Sequence, residues 1–471
     1  MKTILEFLKA STIKTKVNAL KFESKGTSTL KGYKKGKPYV NFEYSYNGSD
    51  WLKWDLSTLE ITKDKPILYI RGNNPNGVGN DKEYFTFNMH GDDIYCTGDI
   101  MHLLDYNNDL DTIPSKYCFT YLFSNCTNLI SAPELPATTL TDYCYEGMFN
   151  GCTSLTTVPE LLATTLAAYC YSYMFSGCTS LKTVHELPAT TLAENCYSNM
   201  FSYCTKLTTA PKLPATTLAT DCYEFMFRGC TSLTSAPKLP ATKLSYSCYN
   251  YMFYGCTSLI SAPELPATTL TESCYNCMFN GCTSLISAPE LPATTLVQNC
   301  YNCMFKGCTS MTVAPELPAT TLADYCYSNM FYNCTSVTVA PELPATTLAN
   351  YCYKAMFNGC TNLKTAPKLP ATTLASNCYY AMFADCTSLK TAPELPATTL
   401  KNNCYTGMFM GCTKLNYIKA MFTTRPGSDY TYAWVSDVSN KGKFVKNKDS
   451  KWGAHNKNSI PEGWDVETTD K

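Results

Sequence analysis

Apolar residues recur along most of this chain in one pattern that returns every 26 residues. In one copy Leu140, Cys144, Met148 and Cys152 stand four apart, with Phe149 beside them and Asp142, Glu146 and Asn150 between. A single apolar stripe at that spacing predicts a helix over the first half of the unit. The residue before the second cysteine is Gly in eight units, Asn125, Asn333 or Asp385 in three, and Tyr203 in one. Gly, Asn and Asp tolerate the left-handed conformation that ends a helix, so the helix is expected to stop there, with local strain at Tyr203. The second half, as in Leu155-Thr-Thr-Val-Pro-Glu-Leu161, reads as a short strand with Leu155, Val158 and Leu161 inward. Parallel stacking of such strands at about 4.8 Å predicts a continuous sheet. The prolines that follow, such as Pro133 and Pro263, lack an N–H and keep each strand short. Leu162 and His185 replace a proline in two units.

The first cysteine of the unit recurs from Cys118 to Cys404 and the second from Cys126 to Cys412, giving twelve units without insertion. A fixed period in this range marks a solenoid, in which each unit buries its apolar face on its neighbours. Unit one departs from the rest at Phe119 and Leu122, as a capping end unit does. The predicted fold class is an α/β repeat solenoid, with one short parallel strand and one helix per coil, over residues 106–418. Before it, Tyr39–Tyr46, Ile67–Ile70 and Tyr84–Phe87 alternate as strands, separated by turn signals at Asn47-Gly48, Gly72–Asn80 and His90–Asp93. Residues 15–105 are therefore expected to form a small antiparallel β-sandwich. Residues 1–14 would be an attachment segment. Residues 419–471, with Trp434, Phe444, Trp452 and Trp464, would form a small β-rich cap.

The unit Cys-Tyr-x-x-Met-Phe-x-Gly-Cys-Thr-Ser-Leu-x-x-Ala-Pro-Glu-Leu-Pro-Ala-Thr-Thr-Leu resembles the BspA-like leucine-rich repeat. Met148-Phe149-x-x-Cys152-x-x-Leu155 matches that family's Ala-Phe-x-x-Cys-x-x-Leu core, followed by a strand and a proline, and the ten later copies match as well. The units here are slightly longer and more alike. The wider layout, with the lead-in Gly98-Asp-Ile-Met-His-Leu-Leu104 and the closing Ile460-Pro-Glu-Gly-Trp464, looks like repeat proteins of gut bacteria and their tailed phages. The resemblance implies binding rather than catalysis, since family members are mostly surface adhesins of anaerobic bacteria, parasitic protists and phages.

Composition changes the picture at three points. Lys plus Arg equals Asp plus Glu at 38 each, which argues against a nucleic-acid partner or a basic membrane-surface patch. Glu6 and Lys9 interrupt the first apolar stretch, so no signal peptide is expected, and no apolar run reaches the length of a membrane span. Twenty-four of the 27 cysteines occupy the two repeat positions. A helix between them would hold their Cα atoms roughly 12 Å apart, beyond the reach of a disulfide. They are read as buried free thiols acting as small hydrophobes.

Several clusters carry residue types that could support chemistry. Cys274-Tyr-Asn-Cys277 and Cys300-Tyr-Asn-Cys303 could offer four thiolates to zinc, but the second cysteine of each pair should leave a different helix face. Asp105, Asn107, Asp109 and Asp111 alternate as in a calcium loop, without its central Gly or closing Glu. His90, His102, His185 and His455 match no motif, and Trp51 and Trp54 suit core packing better than a sugar platform. No catalytic residue, cofactor or metal is assigned. The candidate ligand-binding positions form a charged ladder after the strand proline: Glu134, Glu160, Glu186, Lys212, Lys238, Glu264, Glu290, Glu316, Glu342, Lys368 and Glu394. Solenoids tend to bind through such faces.

The function expected from these features is non-enzymatic recognition by a phage tail-associated virion protein. Its partner would be a bacterial surface protein or polysaccharide bound through the solenoid, with other virion proteins held by the N-terminal region. The alternatives are a bacterial cell-surface adhesin and a structural spacer without ligand. The location would be the virion or the outer cell surface.

Overall fold

The computed structural model describes residues 17–470. The expected attachment segment, residues 1–14, lies outside them. The N-terminal region is built from β1 (Leu20–Ser24), β2 (Ser28–Lys35), β3 (Phe42–Ser45), β4 (Leu52–Lys53), β5 (Leu59–Ile61), β6 (Ile67–Gly72), β7 (Tyr84–Gly91) and β8 (Ile94–Thr97). They pair antiparallel in two sheets, β5-β2-β7 and β4-β3-β6-β1-β8. Alternate residues point inward, as the burial of Leu20, Phe22 and Ser24 along β1 shows. The inward rings of Phe22 and Phe42 meet Phe87 and Phe85 of the other sheet, at centroid distances of 5.4 and 4.8 Å. Trp54 fills the space beside them and donates its ring N–H to the Ser57 carbonyl.

The helix expected in the first half of each unit is absent. Among the described residues the one helical element is a 3-10 turn, Ile100–Leu103. In place of the helix runs a ribbon of overlapping tight turns with a period of four. In the second unit Tyr143, Gly147 and Gly151 have φ of 60, 56 and 74°, and equivalent positive values recur in all twelve units. Between them, every second amide donates to the carbonyl three residues back: Glu146 to Tyr143, Met148 to Tyr145, Asn150 to Gly147. The intervening amides donate to the next coil: Tyr145 to Cys170, Gly147 to Ser172, Phe149 to Met174, Gly151 to Ser176, all at 2.8–3.1 Å. A helix would have consumed all of these amides internally. The ribbon keeps half of them for its neighbour.

The strand half is reduced as well. The expected continuous sheet is replaced over most of the solenoid by single parallel bridges one unit apart, such as Ser235↔Ser261↔Ser287↔Val313. Two prolines in each Ala-Pro-Glu-Leu-Pro stretch remove the donors that longer strands need. A second column of bridges, including Thr165↔Thr191 and Thr295↔Thr321, runs through the Ala-Thr-Thr-Leu turn.

Identical side chains stack inside this frame. The tyrosines from Tyr145 to Tyr405 form one column with neighbouring centroids 5.7–5.9 Å apart and rings within 13° of parallel. Those spacings exceed the backbone rise of about 4.8 Å, so the rings are offset, the arrangement their quadrupoles prefer. A phenylalanine column runs beside it, from Phe123 to Phe409. All 27 cysteines are free. The second cysteine of each coil donates its thiol to the phenylalanine carbonyl of the coil before, as Cys152 does to Phe123 at 3.0 Å and Cys282 to Phe253 at 3.1 Å.

Both ends are closed. β8 pairs in parallel with β9 (Leu129–Ser131) of the first coil, so the larger N-terminal sheet runs straight into the bridge column. The Val78 and Phe87 amides donate to the Cys118 and Leu122 carbonyls, taking the role of a preceding coil. At the far end Asp429, Tyr430, Tyr432, Trp434 and Ser436 accept from coil twelve as a thirteenth coil would. Parallel strands β10 (Tyr417–Ala420), β11 (Lys443–Asn447) and β12 (Asp465–Thr469) extend the ladder. Trp434, Trp452, Phe422 and Phe444 cluster over the last rings.

The turn ribbon reverses the sign of a simple substitution. Gly407 has φ of 62°, and a Cβ there would meet nothing nearer than the Ala381 Cβ at 3.7 Å. In a helix interior Gly→Ala gains about 1 kcal/mol. At a left-handed position it costs about 1–2 kcal/mol. Gly407→Ala is therefore expected to lower the free energy of urea unfolding; a gain would mean that the segment is helical.

Candidate binding face of the solenoid

All eleven residues of the charged ladder are exposed, on the turn that follows the bridge column. Their charges are not evenly compensated. Glu186 pairs with Lys212 at 2.5 Å and Glu394 with Lys419 at 2.9 Å. Lys238 in coil five and Lys368 in coil ten bound a run of four glutamates, Glu264, Glu290, Glu316 and Glu342, in coils six to nine.

The same four coils carry a feature that sequence reasoning missed. Val313 and Val339 stand on the bridge column, 68 and 58% exposed, and Ile260 and Ile286 stand one residue before it, 50 and 52% exposed, at positions where most other coils place Thr, Ser or Lys. The branched side chains suit an extended backbone, and nothing in the fold covers them. Between coils seven and eight Val313 lines a groove of about 460 Å³ with Ser287, Pro289, Glu290, Pro315 and Glu316. The signal was present in the sequence, as Ile in two copies and then Val one position later in the next two, where most other copies have Thr, Ser or Lys. Reading those positions as part of a strand hid their exposure. An apolar strip beside an acidic one, bounded by lysines, can desolvate against a partner while selecting cationic groups at its rim.

The other sequence candidates are dispersed. Trp54 is buried in the N-terminal core, and Trp51 stacks on the Arg71 guanidinium, which lies 3.9 Å from both the Trp51 and the Tyr106 rings. Asp105 accepts from the Asn108 side chain and the Asn107 amide, which hold its carboxyl below the usual range. It thus closes a turn rather than joining Asp109 and Asp111 around a cation. Of the two Cys-x-x-Cys pairs, Cys274 and Cys300 belong to the buried ladder. Cys277 and Cys303 occupy the middle left-handed position of adjacent coils, with φ of 53 and 55°. On the same edge the Arg228 guanidinium lies among the rings of Tyr203, Phe225 and Tyr254, at 5.2–5.5 Å. Burial pushes the neighbouring Glu224 up to about 6, against a hydrogen bond from Asn250.

The thiols divide into two kinds. Burial pushes the ladder cysteines up, Cys144, Cys152 and Cys256 among them to about 12. Cys277 moves the other way, to about 7: a hydrogen bond from Cys303 outweighs burial, and the Tyr251 hydroxyl adds a second. Cys303, the donor, is pushed up.

Residues 108–433 match the BspA type leucine rich repeat region in six copies, over the overlapping stretches 108–208, 164–285, 220–364 and 324–433. No curated protein matches. Among solved structures, the crystal structure of a TLR13–ssRNA13 complex aligns at 12% identity with a TM-score of 0.24, over 68% of this chain and 48% of that one. The chain thus spans about half the length of that structure's chain. No helix among the described residues is long and apolar enough to cross a membrane.

Thiolate reactivity should follow this division. Iodoacetamide at pH 8, read by peptide mass mapping of the native chain, is expected to label the Cys277/Cys303 pair, with Cys277 buried and Cys303 half-buried, more slowly than a free thiol but ahead of the fully buried ladder. The labelling should fall as pH drops below about 7, because the Cys277 thiolate is then protonated. Equal labelling of ladder cysteines would contradict their burial.

Proposed function

The chain belongs to the BspA-type leucine-rich repeat family, and on that premise we propose that it is a non-enzymatic recognition protein. Its contact surface is the bridge-column face of coils six to nine. The observation that carries this reading is the coincidence of two strips in the same four coils. Ile260, Ile286, Val313 and Val339 form an exposed apolar run, and Glu264, Glu290, Glu316 and Glu342 form an acidic run between Lys238 and Lys368. The bounded length favours a discrete protein surface, with apolar side chains flanked by Lys or Arg, over a polysaccharide running the length of the solenoid.

We place this protein on a tailed-phage virion, with the partner on a bacterial surface. The support is the resemblance of the Cys-Tyr-x-x-Met-Phe units and the flanking segments to phage and gut-bacterial repeat proteins. A bacterial cell-surface adhesin would use the same face. Mass spectrometry of purified particles beside surface-labelled cells separates the two: recovery only from cells would discard the virion.

The face itself is tested by binding of the full chain to intact bacterial cells. The double variant Ile286→Ser, Val313→Ser is expected to weaken binding about 10- to 100-fold, from the loss of two apolar contacts. Its unfolding free energy should stay within about 0.5 kcal/mol of the parent's, because both side chains are exposed. A control at Thr209, outside the patch, should bind as the parent does. Unchanged binding by the double variant would move the site off this face. A chain that binds no cell surface at all would be a spacer.

A further inference from the structure

We propose that Asp99, His102 and Asp109 form a binding site for a zinc-like divalent cation at the junction of the N-terminal sheets and the solenoid. One ligand atom from each residue lies within 4.8 Å of the other two. The site is separate from the binding face, and all three residues precede Cys118, the first cysteine of the repeat.

The backbone sets two of the ligands firmly. Gly98–Ile100 is held against coil one, with the Glu134 amide donating to the Gly98 carbonyl and the Ile100 amide donating to the Glu134 carbonyl. Asp99 caps the 3-10 turn, its Oδ1 accepting from the Met101 amide at 2.8 Å. His102 follows within that turn. The third ligand arrives from the loop that leads into coil one. Asp105 ties the start of that loop through the Asn107 amide and the Asn108 side chain, and Asp109 then returns over the turn. Its Oδ1 stops 3.5 Å from the His102 Nε2.

His102 is what makes this more than a group of acids. Its side chain is 1% exposed, yet neither ring nitrogen has a hydrogen-bond partner. Folded proteins seldom bury a polar ring without satisfying it. The ring's Nε2 faces the Asp109 carboxylate, and the Asp99 carboxylate lies in the same cluster, so a cation there would give the imidazole a lone-pair acceptor and neutralise both acids at once. Asp109, by contrast, is 84% exposed, so the third side of the site opens to solvent and an ion can enter with water as a further ligand.

The spacing disfavours magnesium, and the imidazole in the donor set disfavours both alkaline-earth ions, which take oxygen ligands. Two ligands each about 2.0–2.1 Å from a tetrahedral ion lie about 3.4 Å apart. The His102–Asp109 separation is 3.5 Å. An octahedral magnesium at about 2.1 Å would bring neighbouring ligands to about 3.0 Å, and it prefers an all-oxygen shell. One imidazole with two carboxylates is the donor set of a first-row divalent ion. Bound there, the ion would pin the loop before Ile113 to the 3-10 turn and stiffen the junction.

The test uses the full chain, stripped with chelator and kept reduced, in a Cys277→Ser, Cys303→Ser background that removes the acidic thiol pair as a competing site. Titration calorimetry with Zn2+ is expected to show one saturable ion per chain, and thermal unfolding should shift upward with added Zn2+. Asp109→Asn, at an exposed position, should keep the metal-free circular dichroism of the parent and weaken binding at least about tenfold. With Co2+ as the probe, the chain should give a ligand-field spectrum without a thiolate charge-transfer band. No saturable uptake, uptake that both Asp109→Asn and Asp109→Ser leave unchanged, or a thiolate band from the ladder cysteines would each overturn the site. A second variant, Asp109→Ser, guards against asparagine serving as a ligand.

Discussion

The structure depends on one division of labour among backbone amides. In the turn ribbon, odd and even residues of the second coil alternate: one amide closes a local turn and the next reaches the following coil. Neither half suffices alone. The local turns leave half the amides unpaired, and buried unpaired amides are costly enough that a lone coil cannot persist. The inter-coil half exists only if every fourth residue turns left-handed, because that reversal aims the next amide along the solenoid axis. Stacking is therefore a condition of the coil's own backbone, and the side-chain columns follow from it. Once amides fix the register, identical residues must lie on one another. Offset rings and thiol-to-carbonyl bonds are then what identical side chains can do best in a buried column. The same geometry explains the thin coil. A helix is about 10 Å wide and would splay the turn side against a strand side rising about 4.8 Å. A single-backbone ribbon advances equally on both sides.

A structure of this kind has two open ends with half their groups unpaired, and both are met by backbone rather than by polar side chains alone. The N-terminal sheets offer Val78 and Phe87 as substitute donors, extend the bridge column through β8, and stack Phe87 on Phe123 at 5.0 Å. The C-terminal residues continue the ribbon through Ala433 and Asp437, whose φ values of 53 and 57° keep the four-residue period after the cysteines have ceased. One apolar core consequently runs from Leu20 to Trp464. The cavity cost of a core substitution in a middle coil is transmitted through this shared register to both neighbours, so such a change is felt over three coils rather than one.

Much of this was legible in the chain. The period, the twelve units, the inward Leu155, Val158 and Leu161 and the buried thiols all follow from apolar spacing, because burial is what that spacing records. The left-handed residue before the second cysteine was legible too, since Gly, Asn or Asp stands there in all units but one. Even Tyr203 adopts it, with φ of 60°. The helix was not, and the reason is specific. A stripe every four residues drifts about 40° per step on a helix, or about 120° from Leu140 to Cys152, and a strict repeat of four fits a four-residue turn better. The other two left-handed positions hid this, because they are filled by Tyr, Ser, Phe, Cys and Ala more often than by Gly or Asn. Those residues enter that conformation only when inter-coil hydrogen bonds over-determine it. The juxtaposition of Asp99 with Asp109 was equally beyond sequence, being set by how a loop returns.

Where function sits follows from where variation is free. Positions inside the columns are locked, since each ring or thiol must match the one above and below. Positions on the bridge column and the one before it need only an extended backbone, so Thr, Ser or Lys can give way to Ile or Val without disturbing a neighbour. Such a change exposes apolar surface to water, which a monomer gains nothing by doing. Scattered single changes of that kind are ordinary. Four in consecutive coils, beside four acids that repel one another at a spacing of about 5 Å, combine two unfavourable features in one place. Both become favourable only when a surface that is apolar at its centre and cationic at its rim covers them. Coils six to nine lie at mid-solenoid, several coils from either cap. There the ladder is held from both sides, and the backbone has already set the spacing of the side chains, which is the preorganisation that the proposed contact requires.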